Sequence, residues 1–164
     1  MYGKHFETGE TIPDELIEKI QKSGQFNQGF VNLEYLSAAF LDMNWHTLKE
    51  TGEIDVTKLE SDALSKLGLI PEIMVRYRST YFNHIFAGGY SAGYYSYKWS
   101  EVLDADDFEA FKETSLFDAE TAKLYRDNIL AKGGTEEPMD LYKKFRGREP
   151  SIEALLKRDG LSKP

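Results

Sequence analysis

The sequence predicts an all-α protein, and three observations carry that prediction. Apolar residues recur three or four apart through most of the chain, the period of one helix face. Proline and glycine fall between those periodic segments rather than inside them. No stretch of strict alternation is long enough to form a strand. We therefore expect residues 1–164 to make a single, irregular multi-helix domain.

The elements follow in order. The first ten residues are polar, carry two glycines and read as an irregular entry. Thr11, Ile12 and Pro13 open the first helix, with Asp14 and Glu15 placed favourably for its dipole. Leu16, Ile17 and Ile20 recur at helical spacing, and Ser23 and Gly24 stop it. A second helix runs from about Gly29 to Lys49, with Leu33, Leu36, Phe40 and Met43 as its apolar stripe and Thr51 and Gly52 as its end. A third begins at Asp55 or Val56, carries Leu59, Ala63 and Leu67 on one face, and stops at Gly68. Pro71 permits a short turn, and Met74 to Asn83 fits no single period. Ala87, Gly88 and Gly89 make a loop or tight turn. From Ser91 the period is helical to about Lys112, with a kink expected near Asp104 to Asp107. Asp118 caps a helix running to about Leu130, which Gly133 and Gly134 end. Short helices follow at Met139 to Phe145 and Ile152 to Lys157, the last with Ser151 as cap and Gly160 as stop.

Composition bounds the function. Net charge is −8, from 28 acidic and 20 basic residues, which disfavours a nucleic-acid partner because phosphate binding needs a clustered basic surface. The longest apolar runs fall far short of the roughly 20 residues that span a bilayer, so no membrane partner is expected. MYGKHFETGE has neither a basic nor an apolar leader segment, so no signal peptide is expected there. The chain has no cysteine, which excludes disulfides, thiolate metal sites and cysteine nucleophiles. A soluble protein of cytoplasm or periplasm fits these features equally.

Metal and nucleophile chemistry is poorly served. The three histidines, His5, His46 and His84, are too far apart for the H-E-x-x-H helix that seats zinc, so no metal ligand is assigned within this chain. No G-x-S-x-G elbow surrounds Ser79, Ser91 or Ser96. AGGYSAG lacks the spacing of a phosphate-binding loop. Asp104, Asp106 and Asp107 are expected on a solvated face or as helix-start charges, not as an acid–base pair.

What remains is His84-Ile-Phe-Ala-Gly-Gly-Tyr90-Ser-Ala-Gly-Tyr94-Tyr95-Ser-Tyr97. Six of the ten tyrosines lie between Tyr77 and Tyr97. If a helix starts at Ser91, Tyr90, Tyr94 and Tyr97 share one face at i, i+4 and i+7. Gly88 and Gly89 let the backbone approach something closely or move. Phenols that stay protonated at neutral pH, beside an imidazole, can donate to a peptide carbonyl or a developing oxyanion. Aromatic stripes at this spacing more often pack a core, and on pattern alone that reading leads.

The segment FNHIFAGGYSAGYYSYKWSEVLDADDF, with YGKHFETGETIP, FNQGF and LDMNWH before it and FDAETAKLYRDNILAKGGTEEPMDLYKKFRGREPSIEALLKRDGL after it, resembles the C-terminal part of the thimet oligopeptidase and peptidyl-dipeptidase family of zinc metallopeptidases. The likeness covers essentially the whole chain and is nearest to the oligopeptidase A and dipeptidyl carboxypeptidase branch. It implies a larger two-lobed helical peptidase in which an H-E-x-x-H motif, upstream of this chain, holds zinc and activates water. Zinc would then belong to the parent protein, with none bound by these residues, and the isolated chain would be a truncated, inactive piece. The resemblance assigns Tyr97 to oxyanion stabilisation and His84 and Tyr90 to the substrate backbone. Tyr94 is a further substrate-binding candidate that could equally be a packing residue, and Ala87 to Gly89, with Gly88 and Gly89, become a mobile loop. Short peptides and the zinc-bearing remainder of the protein are the implied partners. Apolar faces left uncovered by truncation predict self-association at high concentration. A free-standing helical peptide-binding or structural module without catalysis is the alternative.

Overall fold

The computed structural model describes residues 3–49 and 52–162. Tyr2, where the family-like segment begins, and the predicted helix stop at Thr51 lie outside the described residues. Among the described residues eight α-helices follow in order: α1 Asp14–Gly24, α2 Gln28–His46, α3 Val56–Ser65, α4 Asn83–Phe86, α5 Ser96–Glu113, α6 Ala119–Tyr125, α7 Pro138–Arg146 and α8 Glu153–Arg158. A 3₁₀ turn at Ser79–Tyr81 precedes α4, and a π-turn at Arg126–Leu130 extends α6. Among the described residues there is no strand, only one antiparallel bridge between Lys4 and Thr11 in the entry segment.

Local chemistry explains most ends. Asp14 and Glu15 in its first turn favour the start of α1, and Lys19 pairs with Glu15 at 2.6 Å; such exposed pairs add about 0.3–0.5 kcal/mol each. The Asp55 side chain accepts from the Lys58 N–H at 3.0 Å, and Asp118 from the Thr121 N–H at 2.7 Å, each satisfying an orphan donor. Ser151 Oγ likewise accepts from the Glu153 N–H at 3.2 Å. Gly147 and Gly160, both at positive φ, end α7 and α8.

Two cores form. The first gathers Ala38, Leu41, Ala63, Val75, Phe82, Ile85 and Tyr94, so it joins α2, α3 and the 73–86 segment. The second is Val102 and Ala105 of α5 against Ala154 and Leu155 of α8. Phe111, Tyr125 and Phe145 lock α5, α6 and α7 together through ring contacts 5.1–6.5 Å apart.

The stripe expected to bury α2 does not. Phe40 is 47 % exposed, and Leu33 and Met43 also face outward. The buried positions are Asn32, Ser37, Ala38, Ala39, Leu41 and Asp42. Small side chains let α2 approach the aromatic core closely, and its three buried polar residues all carry hydrogen-bond partners: Ser37 on its own helix, Asn32 with Asp159, and Asp42 with the Ala92 and Tyr94 amides. Leu16, Ile17 and Ile20 of α1 are exposed too, and α1 buries no residue.

The segment Met74 to Asn83, unreadable from period, is held by a buried carboxylate. Glu60 of α3 accepts from the Ser79 N–H at 2.9 Å and the Ser79 hydroxyl at 3.1 Å, and pairs with Arg78. The Trp45 indole donates to the Ser79 hydroxyl at 2.9 Å.

The acidic run on α5 also departs from expectation. α5 runs unbroken from Ser96 to Glu113, and Asp106 is buried rather than solvated. It accepts from the Tyr142 hydroxyl at 2.5 Å, from Arg148 at 2.5 and 2.7 Å, and from the Ser151 N–H at 3.2 Å. Burial alone would raise its carboxyl, but these donors win and hold it down at about 2. Asp107, where burial and the neighbouring Asp106 charge act without such donors, is pushed up to about 6.

Candidate functional site

The tyrosines of the Gly-rich segment converge, but not through the expected helix. α5 begins at Ser96, so of the three only Tyr97 is helical; Tyr90 and Tyr94 come from the turns before it. Ala92 has φ of 54°, in the left-handed region that a helix through Ser91 to Tyr95 would forbid. The chain folds back on itself at this point. The Tyr90 N–H donates to the His84 carbonyl at 3.1 Å, and the Ser91 hydroxyl to the Ile85 carbonyl at 2.5 Å. These bonds close a loop between α4 and α5.

The glycines of the loop have separate reasons. A Cβ on Gly88 would lie 2.8 Å from His84 Cα and 2.9 Å from its carbonyl oxygen, so only glycine fits against that backbone. Gly89 has open space but adopts φ of 83°, which favours glycine on conformational grounds. The close approach anticipated from the sequence is thus to the chain's own backbone at His84.

On the resulting surface the Tyr90 and Tyr97 rings stack, with centroids 5.1 Å apart and planes 25° from parallel. The His84 ring lies 6.2 Å from Tyr90. Tyr90 is 36 % exposed, and His84 and Tyr97 are half-buried. Tyr94 is 3 % exposed and sits beneath them, edge-on to Tyr97 at 5.2 Å and Phe82 at 5.0 Å, and stacked on Tyr35 at 5.5 Å. Hydrogen bonding with Tyr90, then partial burial, pushes the Tyr97 phenol up to about 12. It is therefore protonated, and a donor, throughout the neutral range. Burial raises the Tyr35 and Tyr94 phenols as well.

Several contributors escaped the sequence reading. Tyr35 of α2 and Tyr77 of the irregular segment complete the aromatic cluster, the latter 5.1 Å from His84. The Arg76 guanidinium lies over both, 5.6 Å from the Tyr35 ring and 5.7 Å from that of Tyr77, within cation–π range. Asp42 of α2, completely buried, accepts from the Ala92 and Tyr94 N–H groups at 2.9 Å each. The sole available signal was an acidic residue inside the otherwise apolar LDM run, which period counting assigns to the solvent side.

His5 and His46 stand apart from this face. His5 accepts from the Glu7 and Thr8 N–H groups in the entry turn, and His46 pairs with Asp42. Among the described residues, no group of three or more His, Asp or Glu side chains is arranged to hold a metal ion. The face is a set of hydrogen-bonding side chains on an aromatic floor, suited to a polar backbone carrying apolar side chains.

Comparison with known proteins identifies the family. The family model described as Peptidase family M3 matches residues 1–161. Dipeptidyl carboxypeptidase of Salmonella typhimurium is 42 % identical over 99 % of this chain and 24 % of its own length. Oligopeptidase A of Escherichia coli is 39 % identical over 96 % of this chain and 23 % of its own. Organellar oligopeptidase A of Arabidopsis thaliana is 42 % identical over 96 % and 21 %. The chain spans about a quarter of the length of the curated relatives it matches. A family match along nearly its whole length leads to one conclusion: the chain belongs to peptidase family M3.

Proposed function

We propose that this chain is the substrate-binding C-terminal portion of a zinc-dependent oligopeptidase or peptidyl-dipeptidase that hydrolyses short peptides. The observation that carries the proposal is the stacked Tyr90–Tyr97 pair beside His84 on an open face. Tyr97, a protonated phenol, donates to the oxygen of the scissile carbonyl as it gains charge. Tyr90 and His84 bind the peptide backbone next to it. Tyr94 packs beneath the face and fixes the ring above it. Zinc, when bound by the parent protein, supplies Lewis-acid activation of water from residues outside this chain. Alone, the chain binds peptide and does not cleave it. The outward apolar residues of α1 and α2, among them Ile20 and Phe40, are surface for packing against the zinc-bearing remainder.

The test is hydrolysis of a short quenched peptide by this chain and by the full-length parent, with and without a chelator. Activity in the parent alone, abolished by the chelator, is expected. Zinc-dependent cleavage by residues 1–164 would overturn the assignment, and inactivity of both would leave a binding module. In the parent, Tyr97→Phe should lower kcat by about a hundred- to a thousandfold with little change in KM, the usual consequence of removing one oxyanion donor. A raised KM at unchanged kcat would remove the proposed role.

A further inference from the structure

Asp42 lies on α2, fifty residues before the loop that bears Tyr90, and is fully buried. A carboxylate in such a place is costly unless its lone pairs are taken by donors. Here two backbone amides take them, with an imidazole in contact beside them. Oδ1 accepts from the Ala92 N–H at 2.9 Å and Oδ2 from the Tyr94 N–H at 2.9 Å. The His46 ring, one helical turn further along α2, reaches Oδ1 with Nδ1 at 2.7 Å. That Nδ1 also lies 2.9 Å from the Asp42 backbone carbonyl, which only accepts, so Nδ1 is the nitrogen that bears hydrogen.

Both backbone donors flank the left-handed bend. Ala92, at φ of 54°, is a non-glycine residue in a region that costs of order 1 kcal/mol and persists only when its surroundings enforce it. The bend reverses the chain between Tyr90 and Tyr94 so that Tyr90 lies against Tyr97 rather than pointing along an extended helix. Among the described residues, no other side chain accepts a hydrogen bond from the Ala92 or Tyr94 N–H.

We propose that Asp42 is a positioning residue for peptide hydrolysis: its buried carboxylate, oriented by His46, clamps the Ala92 and Tyr94 amides and thereby sets the Tyr90–Tyr97 stack. The inference rests on the function proposed above for Tyr90 and Tyr97. An aspartate suits the position because its two oxygens accept in parallel from two amides. Asparagine would keep the size but turn an amide N–H₂ toward one of them, replacing an attraction by a donor–donor clash.

The experiment is a double-mutant cycle in the full-length parent, read as kcat/KM on a quenched peptide, with Asp42→Asn, Tyr97→Phe and both together. Asp42→Asn alone is expected to lower kcat/KM about ten- to a hundredfold, the scale of a charge-assisted hydrogen bond. In the Tyr97→Phe background the same change should cost about threefold or less, because the phenol it positions is already gone. Equal losses in both backgrounds would mean a general effect on stability and would overturn the proposal, as would no loss in either. If Tyr97→Phe itself leaves kcat intact, the functional reading fails instead, independently of Asp42. Ala92→Val covers the case in which Asp42→Asn does not fold. It forces a β-branched residue into the left-handed bend without touching the buried carboxylate. The same background-dependent loss is expected, and unchanged kcat/KM would show that the bend does not position the site.

Discussion

At the scale of single residues, the aromatic face depends on positions that carry no chemistry. Gly88 is the clearest, because its missing Cβ is what lets the loop turn against the His84 backbone. Gly88→Ala must displace either the loop or α4, and both hold proposed substrate contacts. We expect kcat/KM of the parent to fall at least about tenfold, for an overlap of that size moves backbone rather than a flexible tip. Gly89→Ala, which meets open space and only conformational strain of about 1 kcal/mol, should cost less. Steady-state kinetics on the two variants side by side checks the order, and the reverse order would mean that conformation outweighs contact. The proximity of these side chains was readable beforehand, but not the turns that produce it, since no helix runs through Ser91 to Tyr95. His84, Tyr90 and Tyr97 lie together as the sequence suggested, and Tyr94 occupies the packing position that had stood beside its binding role. Asp42 and Tyr77 were not readable, because their partners lie 50 and 7 residues away through turns that no periodic pattern encodes.

At the scale of elements, helices were legible where a cap or a glycine marks their ends, as at Asp55, Asp118 and Gly160. They were illegible where burial ran against size, as on α2, where Leu33, Phe40 and Met43 face out while Ser37, Ala38 and Asp42 face in beside Leu41. The same inversion places Asp106 inside. Its carboxyl is held at about 2, below the usual carboxylate range, so the folded state binds its proton less readily than the unfolded chain does. The stabilisation is complete above about pH 4, where the unfolded carboxyl is ionised, and is lost as pH falls through about 2. Acid denaturation of wild type and Asp106→Ala, followed by circular dichroism, should converge toward low pH. At neutral pH the variant should be less stable by about 1–3 kcal/mol, since the buried Tyr142 hydroxyl loses its acceptor. An unchanged neutral stability would make Asp106 a bystander.

At the scale of the whole molecule, two apolar stripes point outward, Leu16 to Ile20 on α1 and Leu33 to Met43 on α2. Apolar surface of this extent promotes association. Light scattering on the 164-residue chain should therefore show growth in mass with concentration, starting from a monomer of 18.8 kDa. The full-length parent at the same molar concentration should not follow that trend if its remainder covers the stripes. A constant monomer mass for the isolated chain across the range would remove both the self-association and this use of the surface.

The node at Asp106 has a genetic consequence as well. Three of its partners, Tyr142, Arg148 and Ser151, come from the last quarter of the chain, yet the helix they brace is the one that opens with Ser96 and Tyr97. A nonsense mutation after Tyr97 but before residue 142 would spare every side chain of the aromatic face and delete its brace. Such an allele would look intact by inspection of the substrate contacts and would behave as a loss of function.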